Sequence, residues 1–595
     1  MDENAKIDNI RHSLAHLLAA AVKQIWPKAK NAIGPAIENG FYQDFDLSAC
    51  HAQAGMGKVK VSEADFEKIE KKMCEILKGW GDFKVKEVSV QQAKKDFKDN
   101  PYKLELIKDF AKQGKKITEN NPGNFLDLCK GGHIKDIKEI NPDSFKLTKV
   151  AGAYWKGNEK NKMLTRIYGV AFETEKELID YLKMQEEAEK RDHRILGQKL
   201  DLFVFSDLVG KGLPLFTEKG AVIRRELEKL ALEEEIKRGY KHVITPDLAK
   251  VDLYRKSGHY PYYKESMYPV MKIDEEELIL RPMTCPHHYQ LYLSKPRSYR
   301  ELPFRLAELA KQFRYEKSGE LTGLIRVRSF CLADAHIITQ QENVESEMNK
   351  VLDLIEFMAN IFGLKPNLDY RYRLSLGDRK NAKKYYKDDN AWNFAENILR
   401  KVLKDRNAPF FEAEKEAAFY GPKVDIQMKN FSGKEDTAFT VQYDFVGPKR
   451  FNLVYTDKDG KEKEAIVIHR SSIGCVERIM AFLIEKYAGA FPVWLSPIQV
   501  AVIPISEKHL NYANEISKIF QKENFRYQII TENETLGKKI REAEMQKIPY
   551  LLIIGDKEIA SQLVSIRERG KGDLGQMQLS NFLDKIKREI EQKIS

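Results

Sequence analysis

Phe313-Arg314-Tyr315-Glu316 closes a run that begins at Pro303-Phe304-Arg305, and Gly474-Cys475-Val476-Glu477-Arg478 opens a helical pattern later in the chain. Ahead of both, an amphipathic stretch over Ala221–Arg238 leads into Lys241-His242-Val243-Ile244-Thr245-Pro246. Singly, each is ordinary: an aromatic-Arg-x-Glu tetrapeptide is common on protein surfaces, and the third segment reads as a helix followed by a strand end. Around them, a chain of 595 residues with 42% hydrophobic content can bury several cores, about three or four domains' worth. Lys and Arg number 100 against 89 Asp and Glu, and the formal charge of +11 suits a polyanionic partner such as RNA. No run reaches the roughly 18 apolar residues of a membrane span. Met1-Asp2-Glu3-Asn4 begins no export signal, and six scattered cysteines form no disulfide framework. A cytoplasmic protein is expected.

The Glu- and Lys-dense segment Glu173–Arg194 predicts one long solvated helix between two bodies. Short strands interrupted by helices are expected from Leu200 to Ala490. After Ala490-Phe491-Pro492, apolar runs at Gln499–Ile505, Tyr527–Thr531 and Tyr550–Ile554 alternate with helical stretches, the pattern of a small sheet with crossover helices. The expected organisation is an N-terminal body over 1–172, a linker helix over 173–197, a central domain over 198–492 and a C-terminal module over 493–595.

Taken in order, the three segments quoted first resemble motifs 1, 2 and 3 of the class II aminoacyl-tRNA synthetases. The resemblance implies an α+β multidomain chain whose catalytic core is an antiparallel sheet using ATP with Mg2+. In the family's first step an amino-acid carboxylate attacks the α-phosphate of ATP. The charge on the pentacoordinate phosphorus explains Arg314, because a guanidinium fork can bridge carboxylate and phosphate oxygens. Glu316 then accepts from the adenine amino group, and Arg326 and Arg478 reach the phosphates. Phe330 and Arg478 clamp the adenine ring, an arrangement cation–π attraction favours. Pro246 marks the strand through which the family forms homodimers.

Arg281-Pro282-Met283-Thr284-Cys285-Pro286-His287, Asp334-Ala335-His336 and Ile468-His469-Arg470 are similar to segments of the threonyl-tRNA synthetase branch. The resemblance makes Cys285, His336 and His469 the ligands of one Zn2+ per subunit; their spacing alone does not. Three protein ligands leave a position that L-threonine fills with its amino group and hydroxyl, whereas valine has no hydroxyl to offer. Asp334 is implied to fix that hydroxyl, Tyr420 and Gln442 to line the substrate, and Lys423 to act in catalysis. His287 and His288 receive no role. Two places depart from the family: Leu332-Ala333 precede Asp334 where Gln-Asp is usual, and Thr437 replaces a glutamine. Two substrate-facing amides are missing.

In the N-terminal body, Ile10–Ile25 reads as an amphipathic helix with Ile10, Leu14, Leu17, Leu18, Ala21, Val22 and Ile25 on one face. His12 and His16 fall together nearly opposite that face, which argues against a core role. Leu126-Asp127-Leu128-Cys129-Lys130-Gly131-Gly132-His133 follows, its double glycine predicting a loop with close backbone approach. His-x3-His with Cys-x3-His admits a second zinc site. The pattern also resembles the editing domain of bacterial-type threonyl-tRNA synthetases. That implies metal-free hydrolysis of seryl-tRNA by His12, His16, Cys129 and His133, with Lys103 and Asp127 at further editing positions. Serine shares threonine's amine and hydroxyl, and one missing methyl supplies only about 1–3 kcal/mol of discrimination, so a second sieve is called for. The small domain that usually precedes this body in the family has no counterpart in the sequence.

Residues 499–593 resemble the class IIa anticodon-binding domain, an α/β module, with Asn533, Glu558 and Arg567 at base-reading positions. The expected activity is ATP-dependent ligation of threonine to tRNA(Thr) with editing of seryl-tRNA(Thr). The alternative that the two departures suggest is a decayed synthetase paralogue acting as an RNA-binding or regulatory protein.

Overall fold

The computed structural model describes residues 3–50, 60–431 and 433–593. Met1 and Asp2, half of the stretch read for an export signal, lie outside them. The chain forms two compact units that divide between Gln185 and Glu186. No helix among the described residues is long and apolar enough to cross a membrane.

In the first unit the helix Glu3–Ile25 packs against both the strand Gly40–Asp46 and the helix Phe66–Leu77. The strand belongs to an antiparallel sheet ordered Lys30–Asn31, Gly40–Asp46, Met163–Ala171, Phe145–Tyr154. The expected half-solvated helix is therefore corrected. Leu14, Ala15, Leu17, Leu18, Ala19, Ala20, Ala21 and Val22 are all buried, and so is His16. The alanine run explains the difference: small side chains let a second element approach the face that hydropathy alone assigns to solvent.

The helix expected over Glu173–Arg194 is two helices, Glu175–Arg191 and His193–Lys199. Asp192 breaks them, its carboxylate accepting the Arg194 N–H as an N-cap.

The second unit is built on an eight-stranded sheet ordered Lys241–His242, Phe304–Phe313, Ser329–Thr339, Ile466–Cys475, Glu435–Asp444, Lys423–Lys429, Tyr370–Leu376, Phe410–Glu414. Its two outermost pairings are parallel and the rest antiparallel. The central strand Ile466–Cys475 is buried at every position. On one side it is covered by the helices Glu218–Lys237, Val344–Ile361 and Val476–Lys486. A second sheet runs Tyr527–Ile529, Val500–Pro504, Tyr550–Ile554, Val564–Glu568, Gly572–Met577, parallel in its first three strands. The helices Leu510–Lys522 and Leu536–Met545 make the crossovers, as the apolar runs indicate.

One buried ion pair ties the first of those covering helices to the central strand. The Arg470 guanidinium meets Glu235 at 2.5 Å and lies 4.0 Å over the Tyr240 ring, with the Ser472 hydroxyl donating to the same carboxylate. Glu235→Ala strands a fully enclosed cation, which costs about 3–5 kcal/mol. Urea unfolding of the variant is the measurement, and a change under 1 kcal/mol contradicts the assignment.

Candidate functional site

Strand register assembles the principal site. Reading across the sheet, His336 is paired with His469, His469 with Gln442, and Gln442 with Lys423. Four residues spread from 336 to 469 thus form one row on one face. Arg314 and Glu316 follow the end of the strand Phe304–Phe313, and Arg478 sits in the first turn of the helix Val476–Lys486.

Two cavities meet here. One of about 530 Å³ is lined by Tyr263, Met283, Arg314, Glu316, Tyr420, Lys423 and Gln442. The other, about 260 Å³, is lined by Arg314, Glu316, Arg326, Phe330, Leu332, Lys423, Thr437, Gln442 and Arg478. Arg314, Glu316, Lys423 and Gln442 belong to both. The Arg314 guanidinium lies 5.2 Å over the Phe330 ring, while Arg478 donates to the carbonyls of Ile325 and Thr437. Burial pulls Arg314 below its usual range, with Arg478 nearby adding to the effect. Three arginines around one cavity form a pocket for an anion of several charges. Lys423 reaches Asp425 at 2.9 Å.

Beside this cavity Cys285, at the start of the helix Cys285–Leu293, closes on His336 and His469. Their possible ligand atoms lie within 4.8 Å of one another, and all three residues are buried. Burial pushes the Cys285 thiol up and the His336 imidazole down, so the lone imidazole is neutral and free to ligate. Its tautomer follows from its neighbours. His288 Nε2 lies 3.3 Å from Glu308, and His288 Nδ1 lies 2.8 Å from His336 Nδ1. With His288 Nε2–H donating to the Glu308 carboxylate, His288 Nδ1 accepts from His336 Nδ1–H and leaves His336 Nε2 with its lone pair. Asp444 stands 2.9 Å from His469 Nε2 and accepts from the Tyr289 hydroxyl at 3.0 Å. The Tyr420 ring stacks on His469, and its hydroxyl bonds Gln442. Asp334 is 4.0 Å from His336 Nε2.

Sequence reasoning missed His288, Glu308, Tyr289 and Asp444. For Asp444 a signal existed: it lies two residues beyond Gln442 on one strand and so shares its face. His288 has none beyond its closeness to Cys285.

The first unit holds a separate cluster. Cys129 Sγ is 3.0 Å from His133 Nε2 and 3.5 Å from His12 Nε2. His16 Nδ1 is 3.1 Å from Asp127, which also meets Lys103 at 2.5 Å and accepts from Asn31. Gly131 and Gly132 have φ of 97° and 84°, the left-handed region where other residues are strained, and the Gly132 carbonyl lies 3.1 Å from His12 Nδ1. The double-glycine loop is as expected. Asn31, and Phe83 stacked 4.4 Å from His133, escaped sequence reading.

Charge is strongly organised in this cluster. Burial opposes ionisation of Cys129, but hydrogen bonds from His12, His133 and His16 outweigh it and pull the thiol down to about 3. Burial likewise opposes protonation of His16, yet Asp127 and Cys129 raise it to about 9. The four ligand-capable atoms of His12, His16, Cys129 and His133 also lie within 4.8 Å of one another. At pH 6 Cys129 is a thiolate, whereas Cys50, Cys74, Cys285, Cys331 and Cys475 are held as thiols by burial. Iodoacetamide at pH 6 is therefore expected to alkylate Cys129 first of the six, read by peptide mass spectrometry. Uniform labelling overturns this.

At the C-terminal module Asn533 is exposed and Arg567 half-buried on the strand Val564–Glu568. Glu558 is buried, accepting from Ser565 and Gln576 at 2.7 Å each and from the Gly555 N–H at 2.9 Å.

The eight-stranded sheet is the core of a class II aminoacyl-tRNA synthetase: residues 268–487 match the tRNA synthetase class II core domain (G, H, P, S and T). Residues 499–589 match an anticodon binding domain, and 116–168 the threonyl and alanyl tRNA synthetase second additional domain. The threonine–tRNA ligase of Anoxybacillus flavithermus is 46% identical over 98% of this chain and 89% of its own. That of Geobacillus kaustophilus is 45% identical over 99% and 88%. The solved RNA binding domain of threonyl-tRNA synthetase from Cryptosporidium parvum Iowa II superposes with a TM-score of 0.63 at 34% identity, covering 67% of this chain and 98% of that one. The chain belongs to the threonine–tRNA ligase family.

Proposed function

We propose that the row His336–His469–Gln442–Lys423 is the floor on which L-threonine and Mg-ATP react, and that tRNA(Thr) receives the product. The convergence of that row with Arg314 and Arg478 carries the reading. A threonine carboxylate oxygen forms a bond to the α-phosphorus as the bond to pyrophosphate breaks. Arg314 bridges the two reactants, Lys423 adds positive charge at the phosphate, and Arg326 and Arg478 hold the outer phosphates. Glu316 accepts from the adenine amino group, and Phe330 packs on its ring. Cys285, His336 and His469 would hold Zn2+, a Lewis acid that takes an amine and a hydroxyl together when bound. A thiol and two buried imidazoles, each with a second hydrogen-bond partner, suit that ion. Asp334 orients the hydroxyl, and Tyr420 closes the pocket over it.

His12, His16, Cys129 and His133 hydrolyse seryl-tRNA(Thr), with Asp127 and Lys103 fixing His16. Asn533 and Arg567 contact the anticodon, and Glu558 supports them from below the surface. The chain works as a cytoplasmic homodimer through the motif 1 region, where Ile244 is 96% exposed next to Pro246. Sedimentation showing a fully active monomer overturns the dimer. The test of the activation reading is ATP–pyrophosphate exchange with single amino acids. Threonine should exceed serine and leave valine far behind; valine equal to threonine, or no exchange at all, sinks it.

A further inference from the structure

Leu332 and Thr437 stand where the synthetase family writes glutamine, yet in each case a glutamine occupies the neighbouring strand beside the gap. Gln427 is the cross-strand partner of Thr437, and its amide donates to the Thr437 hydroxyl at 2.6 Å. Gln312 is in register with Phe330, while Leu332 is in register with Ala310, so Gln312 and Leu332 are diagonal neighbours on one face of the sheet. The Gln312 amide donates to the Thr284 hydroxyl at 2.9 Å and to Asp334 at 3.3 Å. Both glutamines are nine-tenths or more buried.

Neither is what packing alone would select. The Gln312 Oε1 oxygen is enclosed without a hydrogen-bond partner, a cost that methionine, of similar size, avoids. Gln427 does more than fill space. Because the Thr437 oxygen accepts from it, the hydroxyl proton is left to donate elsewhere, and Thr437 lines the cavity shared by Arg326, Phe330 and Arg478. The Thr437 backbone carbonyl is meanwhile fixed by Arg478 at 2.6 Å. Thr437 is thus held at two points with its proton directed away from the strand pair.

We propose that the two missing amides have been relocated to the adjacent strand: Gln427 positions Thr437 against the nucleotide, and Gln312 positions Asp334 and Thr284 against the amino acid. Both are positioning residues, and the proposal rests on the activation reading above. It predicts a split that simple structural roles do not. Gln427→Met should raise KM for ATP about tenfold, the worth of one hydrogen bond, and leave KM for threonine alone. Gln312→Met should do the reverse.

The deciding experiment moves each amide back. In ATP–pyrophosphate exchange on the full chain, Gln427→Met with Thr437→Gln, and Gln312→Met with Leu332→Gln, should recover most of what the single changes lose. Thr437→Gln or Leu332→Gln alone adds an amide to filled space and should bring no gain. Singles with wild-type kinetics, or folded double variants no better than the singles, overturn the relocation. If a single variant fails to fold, by its thermal unfolding, the double variant decides: folded and active supports the proposal, folded and inactive overturns it. Unaltered chain that exchanges with threonine while both Met variants are unaffected sinks only this proposal. Unaltered chain without exchange sinks the activation reading itself.

Discussion

Cys285→Ala is expected to abolish threonine-dependent exchange and to prevent the chain from holding the proposed zinc. Cys285 supplies the only sulfur among the three converging groups, and without it two imidazoles remain within reach. Loss of a hydrogen-bond partner behind a metal ligand typically costs 10–100-fold, so loss of a ligand itself should exceed about a hundredfold. Glu308→Gln calibrates the scale. It weakens the chain that runs through His288 to His336 and also the buried Arg281–Glu308 pair, so its effect is read as zinc content of the folded protein and should fall inside that range and below the cysteine's. Elemental analysis supplies the second readout, with zinc falling from one per chain to near zero. Cys285→Ala with its zinc intact would refute the assignment, and the cluster of His12, His16, Cys129 and His133 would become the site to examine for that ion.

The His12→Ala, His16→Ala double variant is expected to lose seryl-tRNA deacylation by roughly 10²–10⁴-fold, the usual worth of positioned acid–base groups. Threonine exchange should be untouched, because its residues all lie in the second unit. Serine charged onto tRNA(Thr) should then accumulate. Asp127→Asn is the wrong probe for this question: Lys103 is buried against Asp127, and removing the carboxylate charge strands the ammonium and threatens the fold. A double variant that still clears seryl-tRNA at the original rate rules the cluster out.

Short, linear chemistry was legible in the sequence. Arg314, Glu316 and Arg478 were singled out by type and by their order along the chain, and the structure brings all three around one cavity. The three apolar runs after residue 493 are strands within two residues of their expected ends, because a short apolar run bounded by helical stretches is a local pattern. Asp192 before His193 was an N-cap in plain view, and the charge density around it hid the helix break.

Tertiary structure alone decided the rest. His336 and His469 lie 133 residues apart, and what sets them side by side is strand register, the sum of many pairings along Ser329–Thr339 and Ile466–Cys475. Other registers of the same sheet bring Asp444 to His469 and put Gln312 and Gln427 beside the positions that lack amides, while the packing of the helix Cys285–Leu293 gives His336 its partner His288. The burial of His16 depends on Asp127, His133 and Phe83, brought to it from distant segments, contacts no periodicity encodes. Residue type and order thus determined what chemistry this chain carries. Register and packing, which are cooperative and long-range, determined which groups share it.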